Sequence, residues 1–227
     1  MKRYVIRFSP QQRAEHLTVM TLFIVLSVTG LPQKFFEASW AQSLISGLGG
    51  IDRVRWVHRA AGLAFAFFTA AHITDILRRV IAGTSSLSLV PTRQDFLDAM
   101  QQLRYYLGVT DTPAKFDKFD YKQKFEYWGL VLGAAIVIST GLVLLFPIQA
   151  TMFLTGEIVP AAKLAHGNEG LMAFIIVVVW HIYNAHLNPD VFPFDTTIFT
   201  GKISMERLHH EHELEYERLK ETDDLKG

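Results

Sequence analysis

The chain has 227 residues, with 22 Lys and Arg balanced by 22 Asp and Glu, and it contains no cysteine. A net charge of zero gives no indication of a nucleic-acid partner. The lack of cysteine excludes disulfides, Cys-ligated zinc, iron–sulfur clusters held by this chain and covalent c-type haem. Half of the residues are hydrophobic although 19% are charged, so the charges must be separated from long apolar stretches. This composition indicates a small polytopic membrane protein.

Four apolar stretches are long enough to cross a bilayer, which takes about 20 residues in a helix. They predict an all-α fold, an integral membrane four-helix bundle. We expect residues 1–190 to form this four-span domain and residues 191–227 to form a polar cytoplasmic tail. The four stretches are Leu17–Phe36, Trp56–Ile81, Phe125–Phe146 and Ala161–Leu187.

The distribution of Lys and Arg predicts the orientation of the chain. The N-terminus and the loop between the second and third stretches carry most of these residues, so the positive-inside rule places both termini and this loop in the cytoplasm. The expected location is a bacterial-type inner membrane. Within the loop, Thr92–Leu107 has apolar residues at helical spacing, which predicts an amphipathic helix on the membrane surface. A soluble helix packed on the loop fits the same spacing. In the tail, the run HEHELEYERLKE predicts a solvated helix.

Histidines are the ionisable residues that stand out in the apolar stretches, and such residues need a partner inside a membrane. His166 and His181 lie 15 residues apart, about 22 Å along the fourth helix. His58 shares the outer depth with His166, while His16 and His72 share the inner depth with His181. Two imidazoles from different helices at one depth are what a bis-histidine b-type haem requires. A single hydrogen-bonded histidine is the structural alternative, but five histidines in two layers favour haem ligation.

Two glycines support a flat cofactor beside these histidines. Gly62 follows His58 by four residues and Gly170 follows His166 by four, so each lies on the face of its histidine. A missing side chain there would let a porphyrin approach the backbone. Close packing between helices is the alternative role for such glycines.

The chain resembles the membrane cytochrome b subunits of respiratory formate dehydrogenases, and the b-type cytochromes of hydrogenases and thiosulfate reductases. The matching runs are RFSPQQRAEHLTVMTLFIVLSVTGLPQKF, WVHRAAGLAF, FDYKQKFEYWGLVLGAAIVISTGL, and AHGNEGLMAFIIVVVWHIYNAH with the following IFTGKIS. The resemblance implies two haems b, one held by His16 and His181 and the other by His58 and His166.

The sequence departs from the formate dehydrogenase pattern at two points. The spacing of the histidines in the fourth helix is one residue longer than is typical, and His72 is an added candidate ligand. With two histidines in its second helix, the chain also resembles the quinol-oxidising cytochrome b. In that arrangement His72 would pair with His181, which leaves His16 for a third haem or for a quinone contact.

The resemblance further implies an electron-transfer subunit that connects a partner redox subunit with menaquinone or ubiquinone. Asp120, Gln123 and Lys124 align with the quinone-contacting segment of the family, although helix capping and positive-inside charge explain them equally well. The expected partners are an iron–sulfur or multihaem c-type subunit and a catalytic subunit that holds the substrate site.

Three arginines near helix ends, Arg13, Arg59 and Arg78, are candidates for pairing with haem propionates.

A different class of function is also compatible with the sequence, namely a non-redox membrane anchor or a transporter subunit whose histidines relay protons. The absorption band of b-type haem distinguishes the two classes.

Overall fold

A computed structural model of the chain describes residues 3–84, 87–189 and 191–221. In these ranges the chain forms helices joined by short loops, with one pair of short strands. The elements in order are β1 (Tyr4–Ile6), α1 (Pro10–Lys34), α2 (Ser39–Gly47), α3 (Ile51–Ile81), α4 (Arg93–Tyr106), α5 (Tyr121–Leu145), α6 (Pro147–Phe153), α7 (Ile158–Ile175), two π-helical stretches (Ile176–His181 and Tyr183–Leu187), α8 (Thr197–Thr200), β2 (Lys202–Ser204), α9 (Met205–Glu211) and α10 (Glu213–Glu221).

The four predicted spans are confirmed as helices that are long and apolar enough to cross a membrane. They are α1, α3, α5 and a fourth span, Ile158–Leu187, which includes α7 and the π-helical stretches. Each has at least 25 residues, about 37 Å of helix, which exceeds a hydrocarbon core of about 30 Å. The helices begin several residues before the apolar stretches do. In α1, for example, Ser9 and Gln12 cap each other reciprocally, so polar residues form the first turn.

The fourth span changes its helical form near its end. In the stretches Ile176–His181 and Tyr183–Leu187 each N–H bonds to the carbonyl five residues before it, as Asn188 does with Tyr183 at 2.8 Å. Such wide turns are rare and are found frequently at functional sites. The uniform rotation of about 100° per residue assumed for an α-helix therefore does not hold between His166 and His181.

The described residues divide into two compact units. The first, the membrane unit, comprises Ala14–Gly83 and Leu130–Asp195. The second, the polar unit, comprises the described parts of Met1–Arg13, Thr84–Gly129 and Thr196–Gly227. This grouping differs from a simple boundary at residue 190, because the N-terminal segment and the tail belong to the same unit.

The polar unit is built on an antiparallel pair of strands, β1 and β2. Val5 lies opposite Ile203, and Ile203 is 2% exposed. Leu208 of α9 is 1% exposed, and it adds a second large apolar side chain to this small core. The two strands have no recognisable signature in the sequence, because three residues are too few for a period-two pattern.

A buried polar cluster joins three distant segments of the polar unit. Arg7 is buried and donates to Glu215 Oε2 at 2.6 Å and to the carbonyl of Lys118, and its guanidinium lies 2.9 Å from His212 Nε2. His212 Nδ1 in turn donates to the carbonyl of Asp117 at 2.7 Å. The tail is therefore helical as predicted, but the prediction that it is solvated is wrong for His212 and Glu215. A buried guanidinium needs such partners.

The helix predicted at Thr92–Leu107 is present as α4. Asp95 caps its start by accepting from the N–H of Thr92 at 2.6 Å. Its large apolar side chains Phe96, Met100 and Leu103 are exposed, whereas polar Gln102 is buried and accepts from the N–H of Ala114. The helix is thus amphipathic with its apolar face outward. Its position on the membrane surface stays a prediction.

Candidate functional site

Two pairs of histidine rings face each other in the membrane unit. The first is the outer pair, His58 of α3 and His166 of α7, whose ring centroids lie 6.1 Å apart with the ring planes at 87°. The second is the inner pair, His16 of α1 and His181 of the fourth span, whose centroids also lie 6.1 Å apart, with the planes at 35°. The structure thus brings together four of the five candidate ligands.

Hydrogen bonds orient both rings of the outer pair through Nδ1. His166 Nδ1 lies 2.9 Å from the carbonyl of Val137, and a carbonyl can only accept, so Nδ1 carries the proton. Thr29 Oγ1 donates to the carbonyl of Val25 at 2.7 Å and lies 2.9 Å from His58 Nδ1, so the hydroxyl accepts from that ring. Both rings therefore keep the lone pair of Nε2, which is the atom a metal would bind.

Two glycines of neighbouring helices make room for the outer pair. A Cβ added at Gly30 would lie 2.9 Å from His58 Cε1, and one added at Gly141 would lie 3.1 Å from His166 Cε1. The first distance is shorter than side-chain carbons tolerate, and the second is tight. The glycines therefore permit the positions of both rings.

The inner pair is held differently. His16 Nδ1 is buried and has no hydrogen-bond partner among the described residues. Buried polar atoms are rarely left unsatisfied in folded proteins. His181 lies in the π-helical part of the fourth span, and its ring faces that of His16.

The fifth candidate, His72, does not join either pair. Its Nδ1 lies 3.2 Å from Glu15 Oε2 across α1 and α3, and both side chains are partly buried. Glu15 is the residue next to His16 in the chain. The structure therefore pairs His181 with His16, and it pairs His72 with a carboxylate.

The donor set in each layer fits a haem iron. A metal bound between two imidazole nitrogens, with bonds of about 2 Å, separates the ring centroids by roughly 6 Å. Both pairs have this spacing. The Nδ1 protonation of the outer pair also fits metal binding through Nε2. No cluster of three or more His, Cys, Asp and Glu that could hold a different metal ion occurs among the described residues.

The two predicted haem-neighbouring glycines have open surroundings. A Cβ at Gly62 would meet only Leu26 Cδ2, at 4.0 Å, and a Cβ at Gly170 would meet nothing within 4 Å. Both positions leave space for a flat group beside the histidine one turn away. Their role as haem neighbours stays a prediction.

The three arginines predicted to pair with propionates differ in their surroundings. Arg59 follows His58 directly in α3 and is exposed, as is Arg78 in the last turn of the same helix. Arg13 precedes His16 by three residues in α1, and its Nε is buried without a hydrogen-bond partner in the described part of the chain. Of the three arginines, Arg13 is therefore the best candidate for pairing with a haem propionate.

The predicted quinone-contacting residues already have structural roles at the start of α5. Asp120 accepts from the N–H of Gln123 at 2.7 Å, and Gln123 Oε1 accepts from the N–H of Asp120, which is a capping box. Lys124 donates to Asp95 at 2.6 Å. Although burial raises the pKa of Asp95, the hydrogen bonds from Lys124 and Thr92 hold it below its ordinary value. A role in quinone binding stays a prediction.

The residues that support the outer ligands were not predicted from the sequence. Thr29 and Gly30 are adjacent in α1, and Thr140 and Gly141 are adjacent in α5, where Thr140 Oγ1 lies 3.3 Å from His166 Nδ1. This repeated Thr–Gly step, one in each helix that faces an outer ligand, is visible in the sequence. Its meaning depends on which helices are neighbours, and the sequence does not state that.

The comparisons with known proteins agree with the geometry. A search of curated proteins found no match, but the family model described as prokaryotic cytochrome b561 matches residues 7–191, well over half of the chain. This match favours electron transfer over a non-redox anchor or a proton-relaying transporter. It also implies haem b and a multi-pass membrane location. The chain therefore belongs to the prokaryotic cytochrome b561 family and is a membrane b-type cytochrome that acts in electron transfer.

Proposed function

We propose that the chain carries electrons between a partner redox subunit and membrane quinone through two haems b. In this proposal His58 and His166 ligate the outer haem, and His16 and His181 ligate the inner haem. The observation that supports it best is the repeated spacing of 6.1 Å between facing imidazoles in two layers of the same unit.

Two haems, rather than three, fit the described histidines best. A third haem would require His72 as a ligand together with a second imidazole, and the two imidazoles that face each other at the inner depth are those of His16 and His181. The first-helix histidine is paired with His181, as the resemblance to formate dehydrogenase subunits implies. The remaining imidazole of the fourth span, that of His186, stacks on Phe194 with ring centroids 4.2 Å apart.

Haem b, when bound, supplies one-electron chemistry, and the protein supplies ligation, spacing and a low dielectric. Fifteen residues of the fourth span separate its two ligands, about 22 Å along the helix axis. This distance covers most of the hydrocarbon thickness. The chain thereby places one ligand pair near each surface, where a partner subunit or quinone can exchange electrons.

The proposed complex has the composition that the resemblance implies. A chain without cysteine holds no iron–sulfur cluster, so a partner with iron–sulfur clusters or multiple c-type haems delivers or accepts electrons at the outer surface. A separate catalytic subunit then carries the substrate site. The excess of Lys and Arg at the N-terminus and in the α3–α5 loop orients these segments to the cytoplasm of a bacterial inner membrane.

Haem content per chain tests the ligand assignment. The purified full chain should show a b-type absorption band and two haems, and His58→Ala or His16→Ala should each leave one. His72→Ala should keep both, because its imidazole has no part in ligation. Added imidazole should restore the missing haem in a His16→Gly variant, which separates a lost ligand from a misfolded chain.

Reduction by a quinol tests the second half of the proposal. A short-chain quinol should reduce the haems of the purified chain in lipid nanodiscs. A chain that binds two haems but is reduced by neither a ubiquinol nor a menaquinol analogue would overturn the quinone step and leave the ligand assignment intact.

In the haem-content experiment, loss of haem in His72→Ala, with retention in His16→Ala, would overturn the assignment of the inner pair.

A further inference from the structure

The helix α4 of the polar unit turns its apolar side outward. Phe96, Met100, Leu103 and Leu107 follow one another at spacings of four, three and four residues, so they form one stripe, the α4 face. They are 66%, 42%, 48% and 69% exposed. The buried residue of the helix is instead polar, Gln102. A helix of a soluble domain buries its apolar side, so the α4 face is a surface for another apolar phase.

Two contacts fix the start of α4 beside the first turns of α5. Lys124 donates to Asp95 at 2.6 Å, and both side chains are largely buried. The indole N–H of Trp128 donates to the carbonyl of Leu89 at 2.9 Å. Because α5 is a spanning helix whose apolar sequence begins at the exposed Phe125, these contacts hold the start of α4 where that sequence begins. Tryptophan is itself enriched at this level of a membrane.

Two arginines line one edge of the α4 face. Arg93 and Arg104 are 11 residues apart, about three full turns, so they lie on the same side of the helix. Both are exposed. The two acidic residues of the helix, Asp95 and Asp98, lie on the opposite half and already accept hydrogen bonds from side chains of the polar unit. The α4 face therefore presents apolar side chains beside positive charge.

We infer that the α4 face lies in the interface of an anionic phospholipid leaflet and anchors the polar unit there. An apolar helix face edged by basic residues is the pattern of helices that lie in the plane of a membrane surface. The stems of arginine side chains cover apolar surface while their guanidinium groups reach lipid phosphates. Haem and quinone have no part in this contact, so the inference is independent of the proposed function.

The surroundings of α4 favour lipid over a partner protein. Exposed apolar residues also flank the helix at both ends, since Leu87 and Val109 are each 61% exposed. A bilayer covers such an extended surface without matching its shape, and the contacts of Asp95 and Leu89 with α5 hold the helix at the level of the lipid.

The lack of cysteine allows a single label to report what covers the α4 face. A nitroxide is attached to Met100→Cys of the purified full chain in nanodiscs of phosphatidylglycerol and phosphatidylcholine. Oxygen, which concentrates in hydrocarbon, should relax this label more than a water-soluble nickel chelate does. Gln94→Cys is the matched control, because Gln94 is exposed on the polar side of the same helix, and its label should respond in the opposite order.

Two results at Met100→Cys would overturn the inference and leave the proposed function standing. Relaxation by the nickel chelate as strong as at Gln94→Cys would place the α4 face in water. Protection from both reagents would show that protein covers it, either a second copy of the chain or another part of this one. The haem absorption spectrum of each labelled chain should match that of the unaltered chain, which identifies the folded protein.

Quenching by brominated lipids tests the preference for anionic headgroups. A fluorophore on Met100→Cys should be quenched more by brominated phosphatidylglycerol than by brominated phosphatidylcholine at equal mole fraction. Arg93→Gln and Arg104→Gln should each lower this enrichment by about fivefold at low salt, and added salt should do the same. Lys220→Gln, which removes an exposed charge of α10 in the same unit, should leave it unchanged. Equal quenching by the two lipids in the otherwise unaltered chain would overturn the anionic preference.

Discussion

The outer and inner histidine pairs have the same ring separation, 6.1 Å, but they are held in different ways. In the outer pair both rings are fixed through Nδ1, one by the carbonyl of Val137 and the other by the hydroxyl of Thr29. In the inner pair His16 Nδ1 has no partner among the described residues. The outer ring planes are nearly perpendicular, at 87°, whereas the inner planes meet at 35°.

This difference shows that ligand spacing and ligand orientation are set independently. Spacing comes from helix packing and is equal in the two layers. Orientation comes from the group that hydrogen-bonds to Nδ1 of each ring. This hydrogen bond also fixes the tautomer and raises the basicity of a metal-bound imidazole. We therefore expect the outer site to be rigid and sensitive to its neighbours, and the inner site to tolerate changes around it.

The largest expected effect comes from filling the space beside an outer ligand. A methyl group at Gly30 would lie 2.9 Å from His58 Cε1, so Gly30→Ala must displace the ring or the helix. Overpacking of this kind costs about 1–3 kcal/mol. The expected result is a chain that loses most of its outer haem and keeps the inner one. Haem content and the redox titration, which should fall from two waves to one, measure this.

Gly47→Ala serves as the control, because a Cβ at Gly47 meets nothing within 4 Å. It should leave haem content unchanged. A Gly30→Ala chain with both haems and unshifted potentials would contradict the view that the outer site is rigid.

His212 of the polar unit shows why anchoring alone does not make a ligand. Like His166, it donates through Nδ1 to a backbone carbonyl, here that of Asp117 at 2.7 Å. Its Nε2, however, faces the guanidinium of Arg7 at 2.9 Å instead of a second imidazole. Burial, aided by the charge of Arg7, lowers the pKa of His212 to about 4. The ring is thus a neutral structural acceptor.

We expect acid to destabilise the polar unit through His212. Its folded pKa of about 4 lies below the ordinary value of 6.5, so the folded state binds fewer protons between these values. Stability is therefore fully present above pH 6.5 and falls as the pH drops towards 4, by on the order of 3 kcal/mol. Hydrogen exchange of the β1–β2 amides, corrected for intrinsic rates, measures this loss. Asp95 and Asp117, whose pKa values are lowered from 3.8, titrate below that window.

His212→Gln should flatten this pH dependence and leave haem content unchanged. The exposed neighbour His210 is the matched control, and His210→Gln should keep the pH dependence of the unaltered chain. An undiminished slope between pH 4 and 6.5 in His212→Gln would show that another group titrates there.

The sequence was sufficient to predict the four spans. A stretch of about 20 predominantly apolar residues crosses a membrane as a helix, because a helix satisfies its own backbone hydrogen bonds there. The depth of each histidine also followed from position within a span. The polar unit could not be predicted, since it depends on contacts between β1, β2 and the tail that are about 200 residues apart. The buried Arg7 in particular resembles an ordinary membrane-flanking arginine until Glu215 and His212 are placed beside it.

The choice between His16 and His72 was open in the sequence for a physical reason. Both lie at the inner depth, and a π-helical stretch before His181 changes the rotation that the spacing implies. The carboxylate of Glu15, next to His16, pairs with His72. Neither the wider turns nor the contact between Glu15 and His72 has a signature in the local sequence, so only the packed helices distinguish the two rings.

The smallest expected effect is electronic. Thr29→Val keeps the shape of the side chain but removes the hydroxyl that accepts from His58 Nδ1. A less basic imidazole stabilises ferric iron less, so the midpoint potential of the outer haem should rise, by at most on the order of 40 mV for a hydrogen bond of about 1 kcal/mol. Thr74→Val is the matched control, because Thr74 donates only to its own helix, at Ala70. The inner potential should not move in either variant. If it moves as far as the outer one in Thr29→Val, the two pairs do not differ as their hydrogen bonds indicate.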